Sequence, residues 1–128
     1  LFIISCGEKV REEIIGRYDN GQMKVIVKYK GKGSDEVITE RITYNENGDT
    51  LLLEKPMDKF KMVRRYYENG QIKWERNYKD REELFINGWN ENGELLVKDG
   101  NGKWTTWHEN GQIKSEANYK DGKLILTE

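Results

Sequence analysis

One cysteine, one proline and one histidine are all that 128 residues contain of those types. A single cysteine closes no internal disulfide and builds no cysteine-based metal cluster. Paired with one histidine it cannot assemble a zinc site of the usual kind either. The lone imidazole, His108, falls where other units carry Tyr18 and Tyr67, so it reads as a turn residue standing in for an aromatic rather than as a general acid or base. No catalytic residue is placed, and the expectation is a protein that is not an enzyme. Charge of one sign is missing too: 22 basic residues face 23 acidic ones. Nucleic-acid binding needs a concentrated cationic footprint to displace counterions, so nucleic acid is not expected as a partner. The basic stretch Lys59 to Arg65 alternates with apolar residues and reads as the wet side of a strand. The apolar run at the start, Leu1 to Ile4, is far short of the ~20 residues a membrane-crossing helix needs. Glycine loops of the phosphate-cradling kind are absent, because the glycines precede strands rather than helices, and no cofactor is expected.

What the chain does contain is Asn-Gly, five times, each behind an acidic residue and with the glycines at Gly21, Gly48, Gly70, Gly93 and Gly111. Glycine has no Cβ and asparagine tolerates the left-handed region, so the pair accepts the positive φ angles of a tight antiparallel turn. Five hairpins follow, stacked as repeats that each lean on their neighbours. The loop has two or three residues, and because a one-residue difference flips a strand, the face that is buried stays open at this point. The turn acids Asp19, Glu46, Glu68, Glu91 and Glu109 lie a hairpin apart, too far to share a cation, so no metal is expected.

Between the turns the residues alternate. Met23, Val25, Val27 and Tyr29 recur as Ile72, Trp74 and Tyr78 and again as Ile113, Ala117 and Tyr119, with Gln, Lys, Glu and Asn between them. Period-two alternation predicts one apolar and one wet face. An aromatic stands four places before the glycine in four units, as Tyr44, Tyr66, Trp89 and Trp107, and predicts a ladder of rings along the stack. The first unit has Arg17 there. Further turn signals lie at 31–34, 55–58, 79–81, 99–102 and 121–122, and the only proline, Pro56, occupies one of them. The expected architecture is all-β, an open antiparallel meander of consecutive hairpins with about ten strands, over residues 13–128. Residues 1–12 are expected to be a tether, the place for any helical turn. Leu51-Leu52-Leu53 breaks the alternation and reads either as a strand covered on both faces or as a place where something packs across the sheet. Arg81 stands where Gly122 closes the matching turn, which predicts a different turn shape at Asp80.

The unit Tyr67-Glu68-Asn69-Gly70-Gln71-Ile72-Lys73-Trp74-Glu75-Arg76-Asn77-Tyr78-Lys79-Asp80 resembles the bacterial variant of the MORN repeat, and Trp107 to Lys123 repeats it. The resemblance extends over roughly residues 13 to 127 and is fullest in those two units. It implies an elongated, twisted sheet of hairpins, a scaffold role toward proteins or membranes, and the label antitoxin-like. Ile3-Ile4-Ser5-Cys6 resembles a bacterial lipobox, which implies acylation at Cys6 and anchoring at the cell envelope. Without acylation the protein belongs in the cytoplasm. The leading expectation is a non-enzymatic scaffold for a protein partner of open identity, with unpaired edge strands for docking. The alternative is a glycan- or cell-wall-binding module that stacks sugars on Tyr66, Trp74, Trp89, Trp104 and Trp107, since the hairpin from Gly102 to Trp107 resembles cell-wall-binding repeats.

Overall fold

The computed structural model describes residues 10–125, all in one open sheet whose eleven strands run antiparallel in chain order. They are β1 (Val10–Arg17), β2 (Met23–Lys30), β3 (Val37–Tyr44), β4 (Thr50–Pro56), β5 (Lys61–Tyr66) and β6 (Ile72–Lys79), followed by β7 (Glu82–Trp89), β8 (Leu95–Lys98), β9 (Asn101–Trp107), β10 (Ile113–Lys120) and β11 (Lys123–Ile125). Among the described residues there is no α-helix, only one 3-10 turn at Gly33–Asp35. The expected meander is there. Its start is earlier than expected: residues 10–12, assigned to a tether, already pair with β2 as Val10↔Lys30, Arg11↔Tyr29 and Glu12↔Lys28. Cys6 and the rest of the expected tether lie outside the described residues.

All five Asn-Gly tips sit on one edge of the sheet, and the loop has three residues. In the first, the Tyr18 N–H donates to the Gln22 carbonyl at 2.8 Å and the Gly21 N–H to the Tyr18 carbonyl at 2.9 Å. This is a type I turn closed by a left-handed glycine, with Gly21 at φ 90°. Asparagine is not left-handed at any tip, contrary to the expected pair of positive φ angles. In the first, third and fifth tips it works through its side chain instead, as when Asn20 Oδ1 accepts the Gln22 N–H at 2.9 Å. The opposite edge has two-residue turns with both φ angles positive at Asp99-Gly100 and Asp121-Gly122; at Asp80-Arg81 only Asp80 is positive, the altered shape that Arg81 predicts.

Just past the tips the register shifts by one residue, between Thr43/Tyr44, Arg65/Tyr66, Gly88/Trp89 and Ile113/Ser115. The first hairpin has no such bulge. It carries the additional Gly16 at φ 79° in its first strand. The bulges decide the faces. Val27, Arg41, Glu54, Val63, Arg76 and Phe85 form one cross-strand row, while Ile26, Ile42 and Leu53 form the adjacent row on the reverse side. Val27 and Val63 are buried on one side, Ile26 and Leu53 on the other. The expected single apolar face is therefore wrong for the first half of the sheet. Leu51-Leu52-Leu53 fits this, because adjacent strand residues point to opposite faces and both are occupied.

The densest core lies in the second half. Phe85 is 2% exposed and Val97 0%, and Phe85 packs on Trp104 and Tyr119 with ring centroids 5.3 and 4.6 Å apart. Trp74, Leu96 and Tyr119 close around them. The spine of rings thus runs through Phe85, not through Tyr44, Tyr66, Trp89 and Trp107. Gly88 makes room for it, since a Cβ there would stand 2.7 Å from the Trp104 ring and 2.8 Å from that of Phe85. A closed cycle of backbone bonds curls this end of the sheet: Phe85 N–H to Gly122 at 2.9 Å, Gly122 N–H to Gly100 at 2.9 Å, and Gly100 N–H to Ile86 at 2.7 Å.

Candidate functional site

The tips are of two kinds, and they are tied together in pairs. The first and third begin with tyrosine, the second and fourth with asparagine. Tyr18 Oη donates to the Tyr44 carbonyl at 2.7 Å and Asn20 Nδ2 to the Glu46 carbonyl at 2.8 Å, latching the first tip to the second. Tyr67 Oη donates to the Trp89 carbonyl at 2.7 Å and Asn69 Nδ2 to the Glu91 carbonyl at 3.0 Å, latching the third to the fourth. Burial first, and then the nearby Glu91 carboxylate, push the Tyr67 phenol above its ordinary pKa and keep it a donor. In the receiving tips Asn45 and Asn90 hold their own loops, each Oδ1 accepting two backbone N–H bonds.

The fifth tip, 108–112, is of the donating kind, with its Gln112 N–H bonded to Asn110 Oδ1 at 3.0 Å. Among the described residues neither its Asn110 Nδ2 nor its His108 ring has a hydrogen-bond partner. The bland sequence reading of His108, a tip residue in tyrosine's place, agrees with its position.

A groove opens between the fourth and fifth tips. Its cause is the short β8, which pairs with β9 only at Val97↔Gly102 and Lys98↔Asn101, so the two strands part toward the tips. The space, about 990 Å³, is lined by Tyr67, Leu96, Thr105 and Trp107 together with the acidic Glu91, Glu94 and Glu109 and the basic Lys73 and Lys114. The Lys73 Nζ lies 5.4 Å from the centre of the Tyr67 ring. Trp107 is 45% exposed.

The aromatic residues expected to form a binding platform are therefore scattered. Trp104 is buried against Phe85. Trp74 lies beneath the Arg76 guanidinium at 4.3 Å, and that same guanidinium stands 4.8 Å from the Phe85 ring. Tyr66 and Trp89 are half-buried, the latter lending its carbonyl to the latch, and Trp107 alone of the five is exposed on the groove. Gly21, Gly48, Gly70, Gly93 and Gly111 occupy the turns expected of them. Among the described residues no cluster of three or more His, Cys, Asp or Glu side chains could hold a metal ion. No helix there is long and apolar enough to cross a membrane. The paired latches were missed by reading the tips as one kind, although the alternation of Tyr and Asn at the tip start was visible.

Two stretches, 62–80 and 100–121, match the family described as MORN repeat variant. Each frames a hairpin of the donating kind, β5–β6 and β9–β10. Comparison with curated proteins and with solved structures gives no match.

Proposed function

We propose that this chain, similar in two hairpins to the MORN repeat variant, is a non-enzymatic scaffold that holds a protein partner around its fifth tip. The observation that carries the reading is the parting of β8 and β9, which exposes Trp107 in a groove beside a tip with unused hydrogen-bond donors. Exposed aromatics set in a concave surface are the usual anchors of protein interfaces. In the finer reading, acylated Cys6 tethers the scaffold at a bacterial envelope, and holding the partner there is the antitoxin-like act that the family label suggests. Two acyl chains suffice for durable anchoring of a polar domain. The glycan-binding alternative has little to support it, because Trp104 and Trp74 are covered and stacking on sugars requires free ring faces.

The test is affinity capture from bacterial envelope extracts with the full chain and with Trp107→Ala. A stoichiometric protein held by the first and at least tenfold less by the second is expected; recovery of none, or equal recovery, overturns the reading. Intact-mass analysis with and without inhibition of lipoprotein signal peptidase addresses the tether separately, and an unmodified Cys6 would place the scaffold in the cytoplasm.

A further inference from the structure

We infer that Asn47 and Asn92, in the two receiving tips, are sites of spontaneous covalent modification, each losing its side-chain amide to attack by the following glycine nitrogen and becoming aspartate or isoaspartate. These sites stand whatever the groove holds. In the reaction the glycine backbone nitrogen bonds to the asparagine Cγ and gives up its proton to solvent. The Cγ–Nδ2 bond breaks, ammonia leaves, and a five-membered succinimide remains. Water then opens the ring at either carbonyl, giving aspartate or an isoaspartate with an additional methylene in the backbone. Glycine favours the attack because it has no Cβ to shield the nitrogen.

The chain carries five copies of the same dipeptide, each behind an acidic residue, and all five asparagines are exposed. The attacking nitrogens are equally engaged. Each glycine N–H donates to the carbonyl that opens its own tip, at 2.9 Å for Gly21 and 3.0 Å for Gly48, Gly70, Gly93 and Gly111. Only the side-chain amides separate the five. Asn20 is held at both ends, its Oδ1 accepting the Gln22 N–H at 2.9 Å and its Nδ2 donating to the Glu46 carbonyl at 2.8 Å. Asn69 is held likewise, by the Gln71 N–H and the Glu91 carbonyl, both at 3.0 Å. For either to react, the amide must turn out of two hydrogen bonds, and the nitrogen that leaves is one of the bonded atoms. In the receiving tips a different residue holds the loop, because Asn45 and Asn90 take the backbone N–H bonds. The Asn47 and Asn92 side chains therefore make no hydrogen bond among the described residues and are free to turn onto the glycine. Asn110, held at Oδ1 alone, falls between the two kinds. One net hydrogen bond corresponds to about a fivefold change in population, so two slow Asn20 and Asn69 by roughly 25-fold relative to Asn47 and Asn92.

Modification at Asn92 alters the groove. Asn92 lies on its wall with Glu91, Glu94 and Glu109, and conversion adds a fourth acidic group to them. The isoaspartate form also lengthens the loop that Asn90 ties together. An aged molecule thus presents a groove of different charge and shape from a new one.

The experiment incubates the full chain in mildly alkaline buffer and follows each asparagine by peptide mapping and mass spectrometry, with isoaspartate resolved from aspartate by fragmentation. Asn47 and Asn92 are expected to convert first, Asn110 next, and Asn20 and Asn69 last, about 25-fold behind the first pair. In concentrated urea, where the latches are gone, all five should convert at similar rates. Tyr67→Phe gives up the neighbouring bond between the third and fourth tips, so it should speed Asn69 and leave Asn20, in the other pair, unchanged. Equal rates at all five in the folded chain, any of Asn20, Asn69 or Asn110 converting first, the same order persisting in urea, or an Asn69 rate indifferent to Tyr67→Phe overturns the assignment.

Discussion

Gly88→Ala puts a single methyl group into the densest part of the protein. Gly88 is not among the glycines with positive φ, so alanine fits the backbone, and stiffening the unfolded chain alone would stabilise by about 0.4 to 1 kcal/mol. The new Cβ, however, would stand 2.7 Å from Trp104 Cζ3 and 2.8 Å from two atoms of the Phe85 ring. Neither ring can yield freely: Trp104 and Phe85 are buried against each other, and Phe85 is also packed on Tyr119. Overpacking of this kind costs about 1 to 3 kcal/mol, so the clash outweighs the entropy gain and a net loss of about 1 to 2 kcal/mol is expected. Urea denaturation monitored by tryptophan fluorescence reads it as a lower midpoint at unchanged slope. Gly88→Ala combined with Phe85→Leu should be less destabilised than the sum of the two single variants, because the smaller side chain vacates the space. A Gly88→Ala protein as stable as the parent, or strict additivity of the pair, would refute the placement of the core at Phe85 and Trp104.

Removing a latch donor by Tyr67→Phe, which gives up the 2.7 Å bond to the Trp89 carbonyl, should cost about 1 kcal/mol, and His108→Phe at the unlatched tip close to nothing; urea midpoints compare them. Acid sensitivity has a defined sign. Glu82 is held below the ordinary glutamate pKa by the hydrogen bond and charge of Lys123, and Glu36 by those of Arg11, so both bind protons more readily in the unfolded state. Their contribution is complete above the ordinary carboxylate range and is lost as pH falls through the lowered values; Lys123→Ala should flatten that part of the stability profile, by a small amount because both carboxylates are exposed. Iodide quenching should reach Trp107 and spare Trp104, so Trp107→Phe removes most of the quenchable emission while Trp104→Phe leaves it.

Hairpin positions were plain in the sequence because each tip needs a left-handed residue that glycine supplies, at Gly21, Gly48, Gly70, Gly93 and Gly111. Register was not, because in four of the five hairpins it depends on a single bulged residue, such as Lys73 or Lys114, and that residue type carries no mark of its role. Hence the alternation was read as one apolar face, where Ile26 and Val27 are buried on opposite sides. The core lies partly outside the units whose alternation is clearest: Phe85 and Gly88 are in β7, where no repeat pattern singles them out. Trp104 shows the limit of residue type as a guide, since ring size alone suits a sugar platform and a core equally well. Of the candidate site, the sequence offers Trp107 only as one of five aromatics and as a rung of the ring ladder, with no sign that it alone is exposed; the groove beside it follows from the shortness of β8, a property of pairing that becomes visible only once neighbours are in place.

The pairing of tips is the claim on which the site depends, and side-chain amide exchange measured by NMR at three asparagines tests it most directly. The Asn20 and Asn69 Nδ2 protons, bonded to the Glu46 and Glu91 carbonyls, should exchange markedly more slowly than those of Asn110. Equal exchange at all three would contradict the account.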